Sequence, residues 1–475
     1  GIIKFHIFLV MQSIDTVFKA QQLKGVSLRN SSFKERRSKL QLLLKNFLEM
    51  EKEALDALAK DLGKSKTEAL LAEVYGVKAE ATFAIKNIKG WMKTKRVASP
   101  LAISFSKSWV KPEPKGNVLI ISPWNYPIML CLNPLIAALS SGNTAIIKPS
   151  ELTPASGEFV KKLIEKTFLP DEVAVFLGEK DVAEKLLDLP FNHIMFTGSP
   201  RVGKLVMKAA SKHLAGVTLE LGGKSPVIID KHANIKDAAW KISFFKFANA
   251  GQTCTAPDYI LCDEAVHDRL VSALQKNMSQ FFSGGIDASK KDYCSIANEH
   301  HFNRLKTSLE DAVSEGAEIA YGGKTSEDDL YFSPAVLTGV NYDNPIMQEE
   351  IFGPILPIVR VKNLEESIDY VNNNEKPLAL YLFSNKSSIH DKVLKNTSSG
   401  GMVINDCVLH HMNPNLPFGG INNSGVGSYH GKFGFDAFSH HKAVLKSSSL
   451  SPFKIMLPPY TKTKESLANL IKKYF

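Results

Sequence analysis

From residue 117 onward, short runs of β-branched and apolar residues alternate with longer stretches of helical pattern. The first of these apolar runs lie at 117–122, 144–149, 173–178, 193–198 and 217–222. Helical patterns fill the intervals at 128–140, 154–167, 181–188 and 201–211. Such alternation predicts βαβ units and a parallel sheet. We therefore expect a doubly wound, Rossmann-like layer arrangement in this part of the chain.

A second alternating stretch begins near residue 225 and continues to about residue 420. Its apolar runs lie at 225–230, 259–263, 335–340, 355–361, 378–384 and 401–406. The simple interpretation is a second α/β domain that follows the first. Residues 12–96 instead have helical spacing, and Ser31 and Ser32 offer an N-cap to one of the helices there.

Residues 98–114 differ from both stretches, because apolar residues alternate there with Ser and Lys, beginning at Leu101, Ile103 and Phe105. This pattern predicts a strand pair whose unpaired edges would have to pack on something, most simply a second subunit. A last strand is expected at 443–449. Residues 464–475 have the spacing of a short surface or docking helix rather than of a membrane anchor.

The composition limits the classes of partner. Among the 475 residues, 58 Lys and Arg against 48 Asp and Glu give a net charge of +10. These cations are dispersed, so a solvated basic surface is favoured over a nucleic-acid-binding surface. The five cysteines include no C-x-x-C pair, which argues against a disulfide framework and fits a reducing, cytoplasmic setting. Several histidines are adjacent in sequence and so diverge in space, and we predict no metal site.

The sequence shows no stable membrane anchor. Its most apolar region, 117–139, is interrupted by Pro123, Pro127 and Pro134, so an unbroken apolar run of about 18 residues is lacking. Residues 1–10 precede Met11, are short and apolar, and lack a small-residue cleavage site. We interpret them as a leading extension rather than as a signal peptide.

Cys254 is a candidate nucleophile. It lies in the turn-rich segment 249–257, among small and polar residues that would leave its thiol accessible. A loop beside a helix end lowers the pKa of a thiol, and the thiolate is the reactive form. An inert buried cysteine is the alternative. Cys131 and Cys262 lie in apolar runs, and we expect them to serve packing.

Glu220 and Asn125 each lie at the end of a predicted strand. A carboxylate at the carboxyl edge of a parallel sheet faces the crevice in which α/β proteins bind ligands. If Glu220 is desolvated, its pKa rises towards the range of a general base; a solvated turn glutamate is the alternative. Asn125 stands between Pro123 and Pro127 and could donate to an oxyanion, although a simple turn would have the same sequence.

Two further strand ends carry groups that suit a phosphate or a ribose. Gly198, Ser199 and Gly203 lie where a predicted strand gives way to a helix, whose first N–H groups attract phosphate. Their spacing is not G-x-G-x-x-G, so as a dinucleotide fingerprint it is weak. Lys148 and Glu151 could hold a ribose or a phosphate, although a surface ion pair is the common alternative.

Taken in order, seven motifs resemble those of the NAD(P)-dependent aldehyde dehydrogenase superfamily: PWNYP, KPSE, FTGSPRVG, LELGGKSP, GQTCTAPDY, EEIFGP and LPFGGINNSG. Each motif is weak alone, but the seven in register are specific. The interval of 34 residues from Glu220 to Cys254 also looks like that of the family. GQTCTAPDY and the C-terminal motifs look like the class 3 branch, which includes fatty-aldehyde and aromatic-aldehyde enzymes, with coniferyl-aldehyde-type enzymes as near relatives.

The resemblance implies an α/β fold with a Rossmann-like cofactor domain, an α/β catalytic domain and a small β oligomerisation element. The NAD(P)-binding domain would comprise 11–97 and 115–220, and the catalytic domain 221–425. The oligomerisation element would comprise 98–114 and 426–455, with a C-terminal tail at 456–475.

The resemblance also implies roles for single residues. Cys254 resembles the catalytic nucleophile, Glu220 the base that activates water, and Asn125 an oxyanion donor. The residues that look like NAD(P) contacts are Trp124, Lys148, Glu151, Gly198, Ser199, Gly203, Leu221, Glu350 and Phe352. The expected substrate contacts are Tyr126, Leu130 and His411.

The expected reaction is oxidation of a medium-chain aliphatic or aromatic aldehyde to its acid, with NAD or NADP as cofactor. It would pass through a thiohemiacetal and a thioester on Cys254, and Glu220 would activate the hydrolytic water. One alternative passes the thioester to coenzyme A. Another is a non-catalytic structural or binding protein on the same fold. We also expect a cytoplasmic homodimer without a nucleic-acid partner.

Overall fold

The computed structural model describes residues 13–100, 103–282, 292–449 and 452–474. Its α-helices are α1 (Ile14–Leu28), α2 (Phe33–Glu49), α3 (Glu51–Leu62), α4 (Lys66–Ala69), α5 (Tyr75–Trp91), α6 (Met129–Ser141), α7 (Pro154–Thr167), α8 (Lys180–Leu187), α9 (Pro200–Ser211), α10 (Ile235–Phe247), α11 (His267–Phe281), α12 (Glu299–Ser314), α13 (Leu364–Asn373), α14 (Ser387–Asn396), α15 (Gly431–Ala437) and α16 (Lys462–Tyr474). The predictions for residues 1–10 and for Leu101 lie outside the described residues.

The strands are β1 (Lys95–Val97), β2 (Lys107–Pro114), β3 (Asn117–Ile121), β4 (Thr144–Lys148), β5 (Val173–Val175), β6 (His193–Gly198), β7 (Gly216–Leu221), β8 (Pro226–Ile229), β9 (Tyr259–Asp263), β10 (Glu318–Gly322), β11 (Thr325–Ser326), β12 (Tyr331–Phe332), β13 (Ala335–Val340), β14 (Ile355–Val361), β15 (Ala379–Phe383), β16 (Gly401–Ile404), β17 (Gly425–Val426) and β18 (Ser439–Lys446). The eleven strands predicted in the two alternating stretches are all present.

The first sheet has six strands in the order β17-β7-β6-β3-β4-β5. All of them except β17 run parallel, because helices cross back over the sheet between successive strands. The central residues of β3 and β4 are Val, Leu, Ile and Ala. Their side chains are buried between the sheet and the helical layers on its two faces. Parallel strands end at one edge, so the segments that follow β3, β4, β6 and β7 meet along that edge.

Helices α1 to α5 confirm the helical prediction for 12–96 over the described residues, apart from β1 at its end. The Ser32 side chain accepts from the Glu35 amide and the Glu35 side chain accepts from the Ser32 amide, a capping box that begins α2. Apolar residues of α2, α3 and α5 pack with α6 and the first sheet. A π-helical turn, Leu70–Val74, joins α4 to α5.

The second sheet has seven strands in the order β10-β13-β14-β9-β8-β15-β16. Only β10 runs antiparallel to its neighbour among these described strands. Its central strands form a continuous apolar core with α10, α11 and α12. Sequence patterning missed β10, whose side chains are largely exposed at the sheet edge and therefore lack the apolar signal.

The third sheet is antiparallel, in the order β1-β2-β18. It corrects the strand prediction in 98–114: Ile103 to Phe105 lie in a tight turn, and the partner of β2 is Lys95–Val97. The Pro100 carbonyl accepts from the Ile103 amide at 2.9 Å, so the chain reverses where a strand was expected. The last strand, β18, begins at Ser439, before the predicted residue 443.

Two largely parallel sheets with helical layers and two small antiparallel sheets, β1-β2-β18 and β11-β12, confirm the predicted α/β fold class. The domain boundaries given above stay a prediction. In the part of the chain that the structure describes, no helix is both long and apolar enough to cross a bilayer.

Candidate active site

The loop that carries Cys254 begins with residues in the left-handed backbone region. Asn249 and Ala250 have φ of 53° and 52°, and Gly251 has φ of 71°. Non-glycine residues in this region cost free energy and are concentrated at functional sites. A Cβ at Gly251 would also lie 2.2 Å from the Gly353 carbonyl oxygen. This turn follows α10 and leaves Cys254 half-buried, whereas the other four cysteines are buried.

Asn125 lies against this loop. Its Nδ2 donates to the Gln252 carbonyl at 3.0 Å, and its own carbonyl accepts from Asn249 Nδ2 at 3.0 Å. The neighbouring Tyr126 hydroxyl shares a 2.8 Å hydrogen bond with Thr253 Oγ1. The structure therefore brings the segment after β3 into direct contact with the segment before Cys254.

Glu220 is the buried carboxylate at the end of β7. It is 4% exposed, and neither of its carboxylate oxygens has a hydrogen-bond partner within the described protein. Burial raises the pKa of Glu220 well above its usual value. Leaving a buried carboxylate without partners costs free energy, and such groups are concentrated at sites of chemistry.

The Cys254 thiol lies within electrostatic range of two carboxylates. Burial, followed by the charges of Glu350 and Glu220, raises the pKa of Cys254 to about 12. The backbone amides of Cys254 and Thr255 act in the opposite direction, because they can donate to a thiolate. In the cofactor-free protein the thiol is therefore protonated at neutral pH.

Glu350 faces the turn Gly222–Gly223, which directly follows β7. A Cβ at Gly222 would lie 2.1 Å from Glu350 Oε2, so only glycine leaves room for this carboxylate. Burial raises the pKa of Glu350 to about 8, while a hydrogen bond from the Gly223 amide acts in the opposite direction. The Phe352 ring stands edge-on to Trp124, with 5.5 Å between ring centroids. Trp124 and Phe352 are thus in contact, and Glu350 lies two residues before Phe352 in the chain.

Lys148 and Glu151 lie beyond the end of β4, where Lys148 Nζ is 2.6 Å from Glu151 Oε2. Lys148 is buried and the Glu151 side chain is 45% exposed. Although burial acts to raise the pKa of Glu151, the hydrogen bond from Lys148 lowers it overall. The pair therefore presents a carboxylate to solvent with a buried cation behind it.

Gly198 ends β6, and Ser199 caps α9, because the Ser199 side chain accepts from the Val202 amide at 3.4 Å. Gly203 lies in the first turn of α9, where it packs against the buried Leu221 at the end of β7. The N-terminus of α9 consequently lies at the same sheet edge as Glu220.

The three expected substrate contacts are placed differently. Tyr126 lies beside the Cys254 loop, as described above. Leu130 is 8% exposed in the first turn of α6, where its carbonyl accepts from Ser122 Oγ at 2.9 Å. His411 Nδ1 lies 2.8 Å from the Val408 carbonyl oxygen, and burial lowers the pKa of His411 to about 4.

Sequence reasoning missed the buried ion pair of Lys64 and Glu73, which contacts the Asn125 segment from the helical layer. A charged residue on a helix predicts a solvated surface, and no local motif shows that these two are enclosed. Gln252 lies inside the motif GQTCTAPDY and Asn249 lies two residues before it, but the sequence did not reveal the hydrogen bonds that these two side chains make. Among the described residues, no group of three or more His, Cys, Asp and Glu side chains could hold a metal ion.

Comparisons with known proteins identify the class of protein to which these sheets and strand-end residues belong. The family model "Aldehyde dehydrogenase family" matches residues 11–444. The chain therefore belongs to the aldehyde dehydrogenase family, whose reaction is the oxidation of aldehydes to acids. This confirms the resemblance inferred from the seven motifs.

Curated relatives place the chain near family 3. It is 46% identical over 443 residues to 4,4'-diaponeurosporen-aldehyde dehydrogenase of Staphylococcus aureus, covering 93% of this chain and 94% of that protein. It is 46% identical over 406 residues to human aldehyde dehydrogenase family 3 member B1, covering 85% of this chain and 86% of that protein.

Solved structures agree with this placement. Staphylococcus aureus AldH in its substrate-bound state has a TM-score of 0.92 at 44% identity, covering 97% of this chain and 100% of that one. The glyceraldehyde-3-phosphate dehydrogenase GapN of Methanocaldococcus jannaschii, complexed with NADP, has a TM-score of 0.84 at 28% identity, covering 91% and 94%.

Proposed function

We propose that this chain oxidises an apolar aldehyde to the carboxylic acid through a covalent intermediate on Cys254 that is hydrolysed by water. The observation that carries the proposal is Glu220, a buried carboxylate whose oxygens have no hydrogen-bond partner among the described residues and which lies within electrostatic range of the half-buried Cys254. Such a carboxylate can accept a proton from a water molecule beside the thioester.

The residues along the sheet edge fit a nicotinamide dinucleotide. The N-terminus of α9 at Ser199 suits a pyrophosphate, and Lys148 with Glu151 suits the adenosine ribose hydroxyls. Glu350 and Phe352 would contact the nicotinamide end, beside Trp124. When bound, the cofactor supplies the hydride acceptor. Glu151 would accept from a 2′-hydroxyl and repel a 2′-phosphate unless it moves and frees Lys148, so both NAD and NADP remain candidates.

In the first step the Cys254 sulfur forms a bond to the aldehyde carbon, and the thiol proton passes to one of the two neighbouring carboxylates. The aldehyde oxygen becomes an oxyanion. The second Nδ2 proton of Asn125 and the Cys254 amide would donate to it, since Asn125 Nδ2 already directs one proton to Gln252. One such donor is typically worth about 3 kcal/mol.

The tetrahedral adduct makes hydride loss possible, because an aldehyde carbon has no other leaving group. Loss of the hydride leaves a thioester between Cys254 and the acyl group. Glu220 then takes a proton from water, the water oxygen bonds to the acyl carbon, the C–S bond breaks, and the departing thiolate takes that proton from Glu220. The products are the carboxylic acid and the free thiol.

The aldehyde class and the assembly are part of the same proposal. One relative is named for 4,4'-diaponeurosporen-aldehyde, and the substrate proposed for this chain is an apolar aldehyde of the aliphatic or aromatic type. In the part of the chain described, β16 and β18 each leave one sheet edge unpaired. These edges favour a homodimer, which light scattering would measure directly.

The five free cysteines favour a reducing, cytoplasmic setting.

The direct test is Cys254→Ala, assayed for NAD(P)H formation with aliphatic and aromatic aldehydes and both cofactors. We expect activity to fall by at least about 10³-fold, since no covalent adduct can form. The matched control is Cys262→Ala, which removes a thiol buried in β9 and should retain turnover. Full dehydrogenase activity in Cys254→Ala would overturn the proposal. Formation of an acyl-CoA when coenzyme A is added to the native protein would show that the acyl group is transferred to coenzyme A rather than hydrolysed.

A further inference from the structure

Lys64 is a fully buried lysine just beyond α3. Gly63, with φ of 63°, ends that helix and turns the chain inward. Lys64 Nζ then lies 2.9 Å from Glu73 Oε1, 2.8 Å from the Asn125 carbonyl oxygen and 4.1 Å from the centroid of the Tyr126 ring. All three partners of this ammonium group are thus fixed, and two of them belong to the segment after β3.

Glu73 holds the other end of the same segment. It lies in the π-helical turn between α4 and α5, an irregularity that often marks functional sites. Its Oε2 accepts from the Ile128 amide at 3.1 Å and from the Met129 amide at 2.8 Å, the first amides of α6. The side chains of Lys64 and Glu73 are both 0% exposed.

The anchored segment begins at Asn125, whose side chain reaches the Cys254 loop and donates to the Gln252 carbonyl. An oxyanion donor contributes to catalysis only if it is held in place before the charge develops. The fixed points on the segment are the carbonyl of Asn125 itself and the amides of residues 128 and 129. A buried ion pair adds little stability relative to apolar side chains of the same volume, so its benefit here is geometric.

We propose that Lys64 and Glu73 are positioning residues, which set the place of the Asn125 amide relative to Cys254 and so the rate of formation of the tetrahedral adduct. This inference rests on the proposed function, because Asn125 must be the oxyanion donor. Neither side chain touches the reacting atoms; each acts through the backbone of the Asn125 segment.

The test is a double-mutant cycle on the first turnover, measured by rapid mixing of enzyme, saturating NAD(P)+ and aldehyde. The pair variant Lys64→Met with Glu73→Gln removes both charges together, so no lone charge is left buried. We expect it to slow first-turnover NAD(P)H formation by roughly 10- to 100-fold, against about 10²- to 10³-fold for Asn125→Ala. In the Asn125→Ala background, the two pair substitutions should slow the first turnover by less than a further factor of about 3.

Cofactor affinity, measured by fluorescence titration, should be unchanged in the pair variant, because the Lys148 and α9 contacts lie elsewhere. Asp61→Asn is the matched control: its carboxylate accepts from the Ala155 and Ser156 amides and caps α7 from the same helical layer. It should lower the melting temperature and leave the first-turnover rate unchanged. If the pair variant does not fold, Lys64→Met alone takes its place in the same double-mutant cycle.

The inference would be overturned if the pair variant slowed the first turnover by the same factor in the native and Asn125→Ala backgrounds. It would also be overturned if the pair variant did not slow the first turnover at all. Either result would leave the proposed function standing, provided that the unaltered protein oxidises aldehydes in the same assay. A wild-type protein without aldehyde oxidation would instead overturn the proposed function.

Discussion

Glu73 and Glu220 are both buried glutamates of this chain, yet their surroundings are opposite. Glu73 accepts hydrogen bonds from Lys64 and from two backbone amides, so both of its carboxylate oxygens have donors. Glu220 has no donor on either oxygen within the described protein. Burial raises the pKa of Glu220 well above its usual value.

The two glutamates therefore differ in their effects on stability and on proton transfer. A fully paired carboxylate holds two chain segments together and has no capacity left for chemistry. An unpaired one weakens the fold and retains its lone pairs for an incoming proton, which is the property that a general base needs. We therefore expect the same substitution, Glu to Gln, to have opposite effects on stability at the two sites.

The largest expected effect is on stability. Glu73→Gln leaves Lys64 without its carboxylate and turns an amide donor towards it, so unfolding should become easier by about 3 kcal/mol. Glu220→Gln should instead raise the apparent melting temperature at pH 7, since it removes a carboxyl that is hard to ionise in the folded state. Thermal unfolding of both variants at one scan rate measures this contrast.

The pH dependence of stability tests whether the effect of Glu220→Gln arises from ionisation of this carboxyl. A carboxyl whose folded pKa is raised favours the folded state below its unfolded pKa, near 4.5, and disfavours it as the pH rises towards the folded pKa. The stabilisation by Glu220→Gln should therefore be present at pH 7 and shrink towards pH 4, where both states of the native protein are protonated. A gain in stability that is equal at both pH values would contradict the assignment of the effect to ionisation.

A smaller effect is expected at Glu350, which differs from both glutamates because it is half-buried and has the Gly223 amide as a donor. Alkylation of Cys254 by iodoacetamide in the cofactor-free protein should rise about tenfold per pH unit between pH 7 and 10, because the pKa of its thiol is about 12. Glu350→Gln should speed alkylation by a few-fold above about pH 8, where the Glu350 carboxylate is charged, and should have less effect at pH 7.

Glu349→Gln, which removes an exposed charge one residue earlier, is the matched control and should leave the alkylation rate unchanged. A rate that levels off by pH 8 in the native protein would show that the thiol titrates near neutrality. That result would contradict the strong influence of burial and of the two carboxylates on Cys254.

Much of the fold followed from the sequence, because buried parallel strands such as β3 and β4 are continuous apolar runs with helices between them. The elements that were missed or misplaced have weak apolar signals. Strand β10 is largely exposed. The turn at Ile103 depends on a backbone hydrogen bond to Pro100 rather than on side-chain pattern.

Motifs pointed to Cys254, Glu220 and Asn125 as candidate site residues, since short sequence intervals carry the strand ends and turns that present them. They could not identify Lys64 and Glu73. These two residues contact the site from more than 50 positions away in sequence, and their ionic partners become visible only when the helices are packed. The state of each carboxylate, paired or unpaired, is likewise a property of the assembled structure.

The account depends on Glu220 as the base for thioester hydrolysis, and the most direct measurement is rapid mixing of Glu220→Gln with aldehyde and NAD(P)+. We expect a burst of close to one equivalent of reduced cofactor per active site, because Cys254 can still form the adduct. Steady-state turnover should then fall by about 10²-fold or more, since no carboxylate deprotonates the water. Unaltered steady-state turnover without a burst would contradict this role for Glu220.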